Sequence, residues 1–205
     1  AQPRGTATAL ARRVALPADG QAVLYVVFAL DASSTSAVRT VRGLLADPER
    51  AIAKACDAID ADIRALFSRL PALHHPNPRI VRFYQASAMQ LLYARWRLPG
   101  KLVLDPWYAT LGLDSGGMNC YMWDIDYNRV PLALFDPAGM RAMLLAFLAA
   151  PLAQHYSIEP IRGQGVGPFY AYNPYSYIVV VDTYLRQTGD RSVLKEVRAG
   201  KSVLK

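Results

Sequence analysis

The spacing of apolar residues along this chain changes character once, near residue 35. Ahead of that point, Ala22–Leu30 (AVLYVVFAL) is an almost unbroken apolar run bounded by Asp19-Gly20 and Asp31. A short run rich in Val and aromatic residues between turn signals predicts a buried strand. Ala9–Leu16 is a second candidate strand, and the turn Pro17–Gly20 would join the two as a hairpin. A single hairpin cannot bury both its faces, so this segment is expected to belong to a larger sheet lying mostly upstream.

From Ser36 onward the spacing is helical. Ala37–Leu45 reads as a short amphipathic piece ended by Asp47-Pro48. Asp47 then acts as N-cap and Pro48 as the first residue of a helix to about Leu70. Its apolar positions Ile52, Ala55, Ile59, Ile63, Leu66, Phe67 and Leu70 fall on one face. Three prolines and His74-His75 make Leu70–Pro78 a loop. Arg79–Arg97 is again helical, with Val81, Tyr84, Ala88, Leu91, Leu92 and Trp96 inward, and Pro99-Gly100 stops it.

Residues 101–120 contain Pro106, Gly112, Gly116 and Gly117 and read as one long connection. Connections of that length in compact domains are usually functional. A helix starts near Tyr121 and is kinked or restarted at Pro131. Asp136-Pro137 repeats the earlier start signal and opens a helix to about His155. After a glycine-rich loop, Arg162–Phe169, Asn173 caps and Pro174 begins a helix to Gln187 that closes at Gly189, and Asp190 caps a last helix. No internal repeat is visible beyond the tetrapeptide SVLK at 192–195 and 202–205. Six or seven helices in succession, with loops of alternating length, predict an α/α solenoid or toroid.

Composition narrows the possible functions. The chain has 205 residues, 53% of them hydrophobic and 19% charged, enough for one domain with a real core or for parts of two. Its net charge of +7 raises the question of nucleic acid. The basic residues are scattered, no run of Lys/Arg exceeds two, and no zinc-finger or RRM-type signature is present, so nucleic acid is not an expected partner. Cys56 and Cys120 are the only cysteines and neither belongs to a CxxC motif. His74, His75 and His155 lack metal-ligand spacing, and no cofactor or metal is expected. No apolar run reaches transmembrane length, so membrane insertion is not expected either. Compartment and oligomeric state stay open. Gly163–Gly167 (GQGVG) is not a phosphate-binding fingerprint and is read as a rim loop.

The twelve tyrosines and three tryptophans are unevenly placed, with dense runs at Trp107–Tyr127 and Tyr170–Tyr184. Such clustering favours a lined pocket. The stretch Gly116–Pro137 places Asp124 behind Trp123 and among Tyr121, Asp126, Tyr127, Asn128 and Arg129. Aromatic faces beside hydrogen-bonding groups suit a sugar, whose rings have apolar faces and a hydroxyl rim. Pairs of carboxylates do the chemistry in most glycosidases. An apolar wall from Tyr121 and Trp123 would favour a protonated Asp124, a general acid. A helix N-terminal Asp satisfying backbone amides would favour the opposite, and spacing leaves both readings open. On a helix Asp126 points roughly 200° away from Asp124, so the two cannot flank one bond, and Asp126 reads as a cap or supporting group. The second carboxylate must be Asp114, Glu159, Asp182 or a residue beyond Lys205. Glu159 also reads as a surface acid before a proline, and Asp182 as half of an ion pair with Arg186.

YMWDIDYN at 121–128, DPAGMRAMLLAFL at 136–148 and YSYIVVVDTYLRQTGDRSVLKE at 175–196 together resemble the six-hairpin glycosidases with an (α/α)6 barrel. The resemblance is greatest to glycoside hydrolase family 63 and its neighbours, which include α-glucosidases, mannosylglycerate hydrolases and trehalases, and it spans roughly Asp47 to Glu196. In that group a Trp-Asp pair supplies the general acid, which implies Asp124 in that role with Trp123 as a site wall. Relatives often carry Ser, Thr or Glu after the pair, where this chain has Ile125-Asp126.

The resemblance implies a mainly α fold, a partial (α/α)6 toroid of antiparallel hairpins preceded by a short β segment. Residues 1–35 would be the end of a β-sandwich with its linker, and 36–205 the first half of a catalytic barrel. The expected activity is inverting hydrolysis of an α-glucoside or related α-glycoside, the substrate being an oligosaccharide or small glycoside. Asp124 would protonate the leaving oxygen, and a base beyond Lys205, about 6.5–9.5 Å from it, would activate water. Trp107, Tyr121, Trp123, Asp126 and Arg129 are expected to line the sugar site. The chain alone is expected to be inactive for want of that base. The alternative is a non-catalytic helical module that binds a glycan or a protein.

Overall fold

Side-chain caps and prolines fix where most of the helices begin. The structure, a computed structural model, describes residues 15–16, 18–29, 33–97, 105–109, 119–150 and 152–203. Among these lie seven α-helices: α1 Ser34–Ala46, α2 Pro48–Arg69, α3 Pro78–Ala94, α4 Met122–Tyr127, α5 Arg129–Phe135, α6 Pro137–Ala149 and α7 Tyr172–Thr188. The first residue of α2, α3 and α6 is proline, whose missing N–H would have no intrahelical partner there. Each is preceded by a side-chain cap. Asp47 Oδ1 accepts from Arg50 N at 3.0 Å, Asn77 Oδ1 from Arg79 N at 2.9 Å and Asp136 Oδ1 from Gly139 N at 2.9 Å. The Asp-Pro signals therefore work as the sequence implied.

The chain divides into two compact units, Ala1–Ala58 and Ile59–Lys205, with α2 continuous across the boundary. In the first unit no described residue is buried. Residues 20–29 have no regular secondary structure, against the strand expected over Ala22–Leu30. Val23, Val26 and Phe28 are 74%, 63% and 87% exposed. The apolar run is there, but no described strand pairs with it, and an extended segment without a ladder partner is not a strand. Residues 9–14 of the other candidate strand lie outside the described residues.

The second unit holds both cores. The larger gathers Trp107, Met122, Leu132, Met140, Phe147, Ile158, Val180 and Val193, and the smaller gathers Leu66, Leu70, Ala88, Leu91 and Phe135. Helix α7 packs against α4, α5 and α6. Helix α6 buries six of its residues, among them Met140, Met143, Leu144 and Phe147, consistent with its almost uniformly apolar sequence. The architecture is thus mainly helical, with a few short antiparallel strand pairs.

Several element ends differ from expectation, each for a local reason. Helix α3 stops at Ala94, not Arg97, because Arg95–Trp96 (β1) pairs antiparallel with Trp107–Tyr108 (β2). The rings of Trp96 and Trp107 then lie 6.0 Å apart. The helical run from Tyr121 breaks at Asn128, and Pro131 sits in the first turn of α5, where it removes no helical hydrogen bond. Helix α6 ends at Ala149 instead of near His155, since Ala150 precedes Pro151 and is held extended at φ −74°, ψ 152°. Helix α7 begins at Tyr172, so Asn173 is not its cap. Gly189 closes α7 at φ +70°, a left-handed value that suits glycine. Beyond it Asp190 caps a 3-10 helix, Arg191–Lys195, and then Val197–Arg198 (β6) pairs with Lys201–Ser202 (β7).

Asp136 joins two parts of the core. Its Oδ1 caps α6, and its Oδ2 accepts from the Tyr108 hydroxyl at 2.8 Å. A Cβ on Gly139 would lie 2.5 Å from that Oδ2 and 2.7 Å from Pro106 Cγ, so only glycine fits. Burial, reinforced by the adjacent Asp136 charge, pushes the Tyr108 hydroxyl far above its ordinary pKa, and it stays a donor. Asp136→Ala removes a cap and strands a buried hydroxyl. It is expected to cost roughly 2–4 kcal/mol in urea unfolding, against about 1 for Tyr108→Phe. Equal costs would show that Asp136 does not do both jobs.

A second polar knot holds the end of the chain to α6. Arg141 on α6 reaches Asp190 at 3.2 Å and Glu196 at 2.7 Å, while the Tyr184 hydroxyl donates to Asp190 Oδ2 at 2.7 Å. Hydrogen bonds from Ser192 and then Tyr184 hold the Asp190 carboxyl down at about 2. A depressed folded-state pKa contributes stability above the ordinary carboxylate value, lost as pH falls through the folded one. Amide exchange over residues 189–198 is therefore expected to accelerate between pH ~4 and ~2 more than in α6. Uniform acceleration would remove this knot as the acid-sensitive element.

Candidate functional site

The chain around Trp123 is shaped by a small sheet. Cys120–Tyr121 (β3) pairs with Ser157–Ile158 (β4), with Tyr121 opposite Ser157, and β4 pairs with Gly165–Val166 (β5). This register brings Tyr156 beside Tyr121. Gly167, at φ +72°, passes so close under Tyr156 that a Cβ there would sit 1.4 Å from the ring. Asn173 Nδ2 donates to the carbonyls of His155 and Tyr156 at 3.0 and 3.2 Å, tying this turn to the start of α7. The glycine-rich loop is therefore a hairpin arm seated against His155 and Tyr156.

Aromatic side chains from three stretches of chain converge there. Tyr156 stacks on Tyr121 with centroids 5.5 Å apart and planes 13° apart. Trp123 lies 4.7 Å from Tyr121 and 6.0 Å from Tyr156, and meets Tyr170 edge-on at 4.8 Å. The run continues from Tyr170 to Tyr172 at 6.3 Å and on to Tyr175 at 5.3 Å. Such offset and edge contacts contribute about 0.5–1.5 kcal/mol each beyond burial. The two aromatic clusters seen in the sequence thus meet at Trp123. Tyr156, a lone tyrosine after an apolar helix, carried no sequence signal and is placed by strand register alone.

Asp124 and Asp126 face different surroundings, as their helical spacing required. Asp126 is 2% exposed. Its Oδ1 accepts from Arg129 Nη1 at 2.6 Å, and its Oδ2 accepts from the hydroxyls of Tyr172 and Ser176, both at 3.1 Å. Burial and that hydrogen bond raise the Tyr172 pKa. Asp126 is thus the clasp between α4 and α7, its oxygens occupied by protein. The expectation that it lines a sugar site is corrected to a supporting one, and Arg129 is tied to it. Tyr172 and Ser176, its partners, were not singled out from sequence.

Asp124 is partly exposed, in the first turn of α4, and its carbonyl accepts from Asn128 Nδ2 at 2.9 Å. It lies close enough to Cys120 that its charge, after burial, helps hold that thiol protonated. Cys120 is also wholly buried. Trp123 is half-buried, and Tyr121, 7% exposed, packs against it at 4.7 Å between ring centroids. Trp107, expected at the site, is wholly buried against Trp96 and offers a ligand nothing.

Two of the other candidate acids are engaged with protein. Both oxygens of Glu159 accept from the backbone of its own turn, at Ile161 (2.9 Å) and Arg162 (2.6 Å). Asp182 pairs with Arg186 at 2.8 Å, as its spacing implied. Asp114 lies outside the described residues. Among the described residues no group of three His, Cys, Asp or Glu could hold a metal ion, and no helix is long and apolar enough to cross a membrane. A separate apolar cleft of about 370 Å³, between Leu70, Tyr84, Leu91, Val130 and Leu134, has no acid in its walls.

No protein-family model, curated protein or solved structure matches this chain.

Removing the clasp isolates its contribution. Asp126→Ala leaves Arg129, Tyr172 and Ser176 without their shared acceptor and is expected to cost roughly 2–4 kcal/mol in urea unfolding. Arg129→Ala, whose side chain is 36% exposed, is expected to cost about 1. A cost for Asp126→Ala below about 0.5 kcal/mol would remove the clasp from the account of α4 and α7.

Proposed function

We propose that this chain supplies the general acid of an inverting glycoside hydrolase acting on an α-glucoside or related α-glycoside, with Asp124 as that acid. In this reading residues 36–205 form the first half of an (α/α)6 barrel, and residues 1–35 the end of a preceding β domain. The observation that carries the reading is the seat of Asp124. It follows Trp123 directly, at the point where aromatic rings from β3, the turn before β4 and the start of α7 converge. A sugar ring stacked on the open part of Trp123 would bring a glycosidic oxygen near this carboxyl. General acid catalysis needs that proximity before any pKa matching. The likeness of 121–128 and 175–196 to six-hairpin glycosidases supports the same assignment.

In this reading the base is a carboxylate beyond Lys205. Asp126, Glu159 and Asp182 are each committed to a protein partner. That same commitment favours a second reading, a helical module that binds a glycan without cleaving it.

Asp124→Asn separates the two. For the enzyme, assayed in a protein that also carries the base, turnover of α-glucosides is expected to fall by about 10²–10⁴-fold while affinity stays within a few-fold. For the module, no turnover is seen in either protein, and affinity changes only modestly. Turnover unchanged in Asp124→Asn would refute the acid assignment, and failure of both proteins to bind any glycan would remove both readings.

A further inference from the structure

The aromatic run does not stop at Trp123. Beyond it Phe169, Tyr170 and Tyr175 are 52%, 46% and 58% exposed. Tyr127, 75% exposed, lies with Tyr175 within electrostatic reach of the Tyr172 phenol. These rings form a ledge that leads outward from Trp123 through Tyr170 and Tyr172 to Tyr175 in steps of 4.8, 6.3 and 5.3 Å. Contiguous exposed aromatics on a globular surface mark a binding surface more often than chance exposure.

Three features select the kind of partner. The exposed rings are mostly tyrosines, whose apolar faces and hydroxyl tips match the faces and hydroxyl rim of a pyranose. Charge argues against a nucleic acid, which would also stack on such rings. Residues 163–185 contain no Lys or Arg, and Arg129 is already bound to Asp126. Within that stretch of sequence a phosphate backbone would find no cation of its own. Finally, the ledge is preorganised, since the Tyr172 hydroxyl at its centre is anchored on buried Asp126, so little ordering is needed on binding.

We infer that Tyr127, Phe169, Tyr170 and Tyr175 form a platform for the outer units of a linear, neutral oligosaccharide whose end unit sits beside Trp123 and Asp124. This rests on the glycan part of the proposed function and extends it to an extended substrate. The ledge selects by chain length and contributes nothing to a monosaccharide or its aryl glycoside.

The test is calorimetric titration with malto- and isomalto-oligosaccharides from disaccharide to hexasaccharide. The protein is compared with Phe169→Ala and Tyr175→Ala, both surface changes whose folding is checked by circular dichroism. Affinity is expected to rise about tenfold or more along one series. Each substitution should lower affinity for the longer chains by about three- to tenfold and leave the disaccharide within twofold. Affinity independent of length, a rise that survives both substitutions, no binding in either series, or tighter binding of oligodeoxythymidylate would each overturn the platform. Hydrolysis measured on the same samples keeps the two proposals apart. Length-dependent binding with turnover indifferent to Asp124→Asn removes the acid and keeps the platform. Asp124-dependent turnover without length dependence does the reverse.

Discussion

The second unit turns on one buried carboxylate. Asp126 sits in a six-residue helix too short to hold itself together, because a helix of one or two turns gains little from its own hydrogen bonds. Its charge must be compensated where it lies, and three donors do so: Arg129 from the next helix and Tyr172 and Ser176 from α7. Because two of them belong to α7, satisfying the charge also docks α4 on that helix. Trp123 and Asp124 thereby acquire fixed positions against Tyr170 and the arm carrying Tyr156.

The glycines of that arm matter for the same reason. Gly165 and Gly167 are where His155 and Tyr156 press on the backbone, and any side chain there would lift Tyr156 away from Tyr121. Asp136 performs a comparable double role, where one carboxylate caps α6 and anchors Tyr108.

The first unit contrasts with this. Its helices are amphipathic, yet Val38, Leu45 and Ile52 remain 47%, 45% and 54% exposed, and the apolar run at 22–29 has no described strand beside it. Among the described residues, the sequence there carries the hydrophobic pattern of buried elements without partners that bury them. That is why a strand was predicted for a segment that forms none: periodicity reports a surface suited to burial, and a strand also requires a neighbour.

Local chemistry determined much of the fold from the sequence alone. Asp47-Pro48, Asp136-Pro137 and Gly189 mark helix ends by caps and backbone preferences that act within a few residues. The Asp182–Arg186 pair and the opposed directions of Asp124 and Asp126 follow equally from helical geometry. What needed the tertiary structure was every feature that joins distant residues. The register of β3 on β4 brings Tyr156 under Tyr121, the docking of α7 makes Tyr172 and Ser176 the partners of Asp126, and the Trp96–Trp107 pairing turns a predicted site residue into core. Sequence shows which side chains are aromatic or charged. Only the packing decides which of those faces reach solvent and which are consumed by one another, because that depends on contacts between residues far apart in the chain.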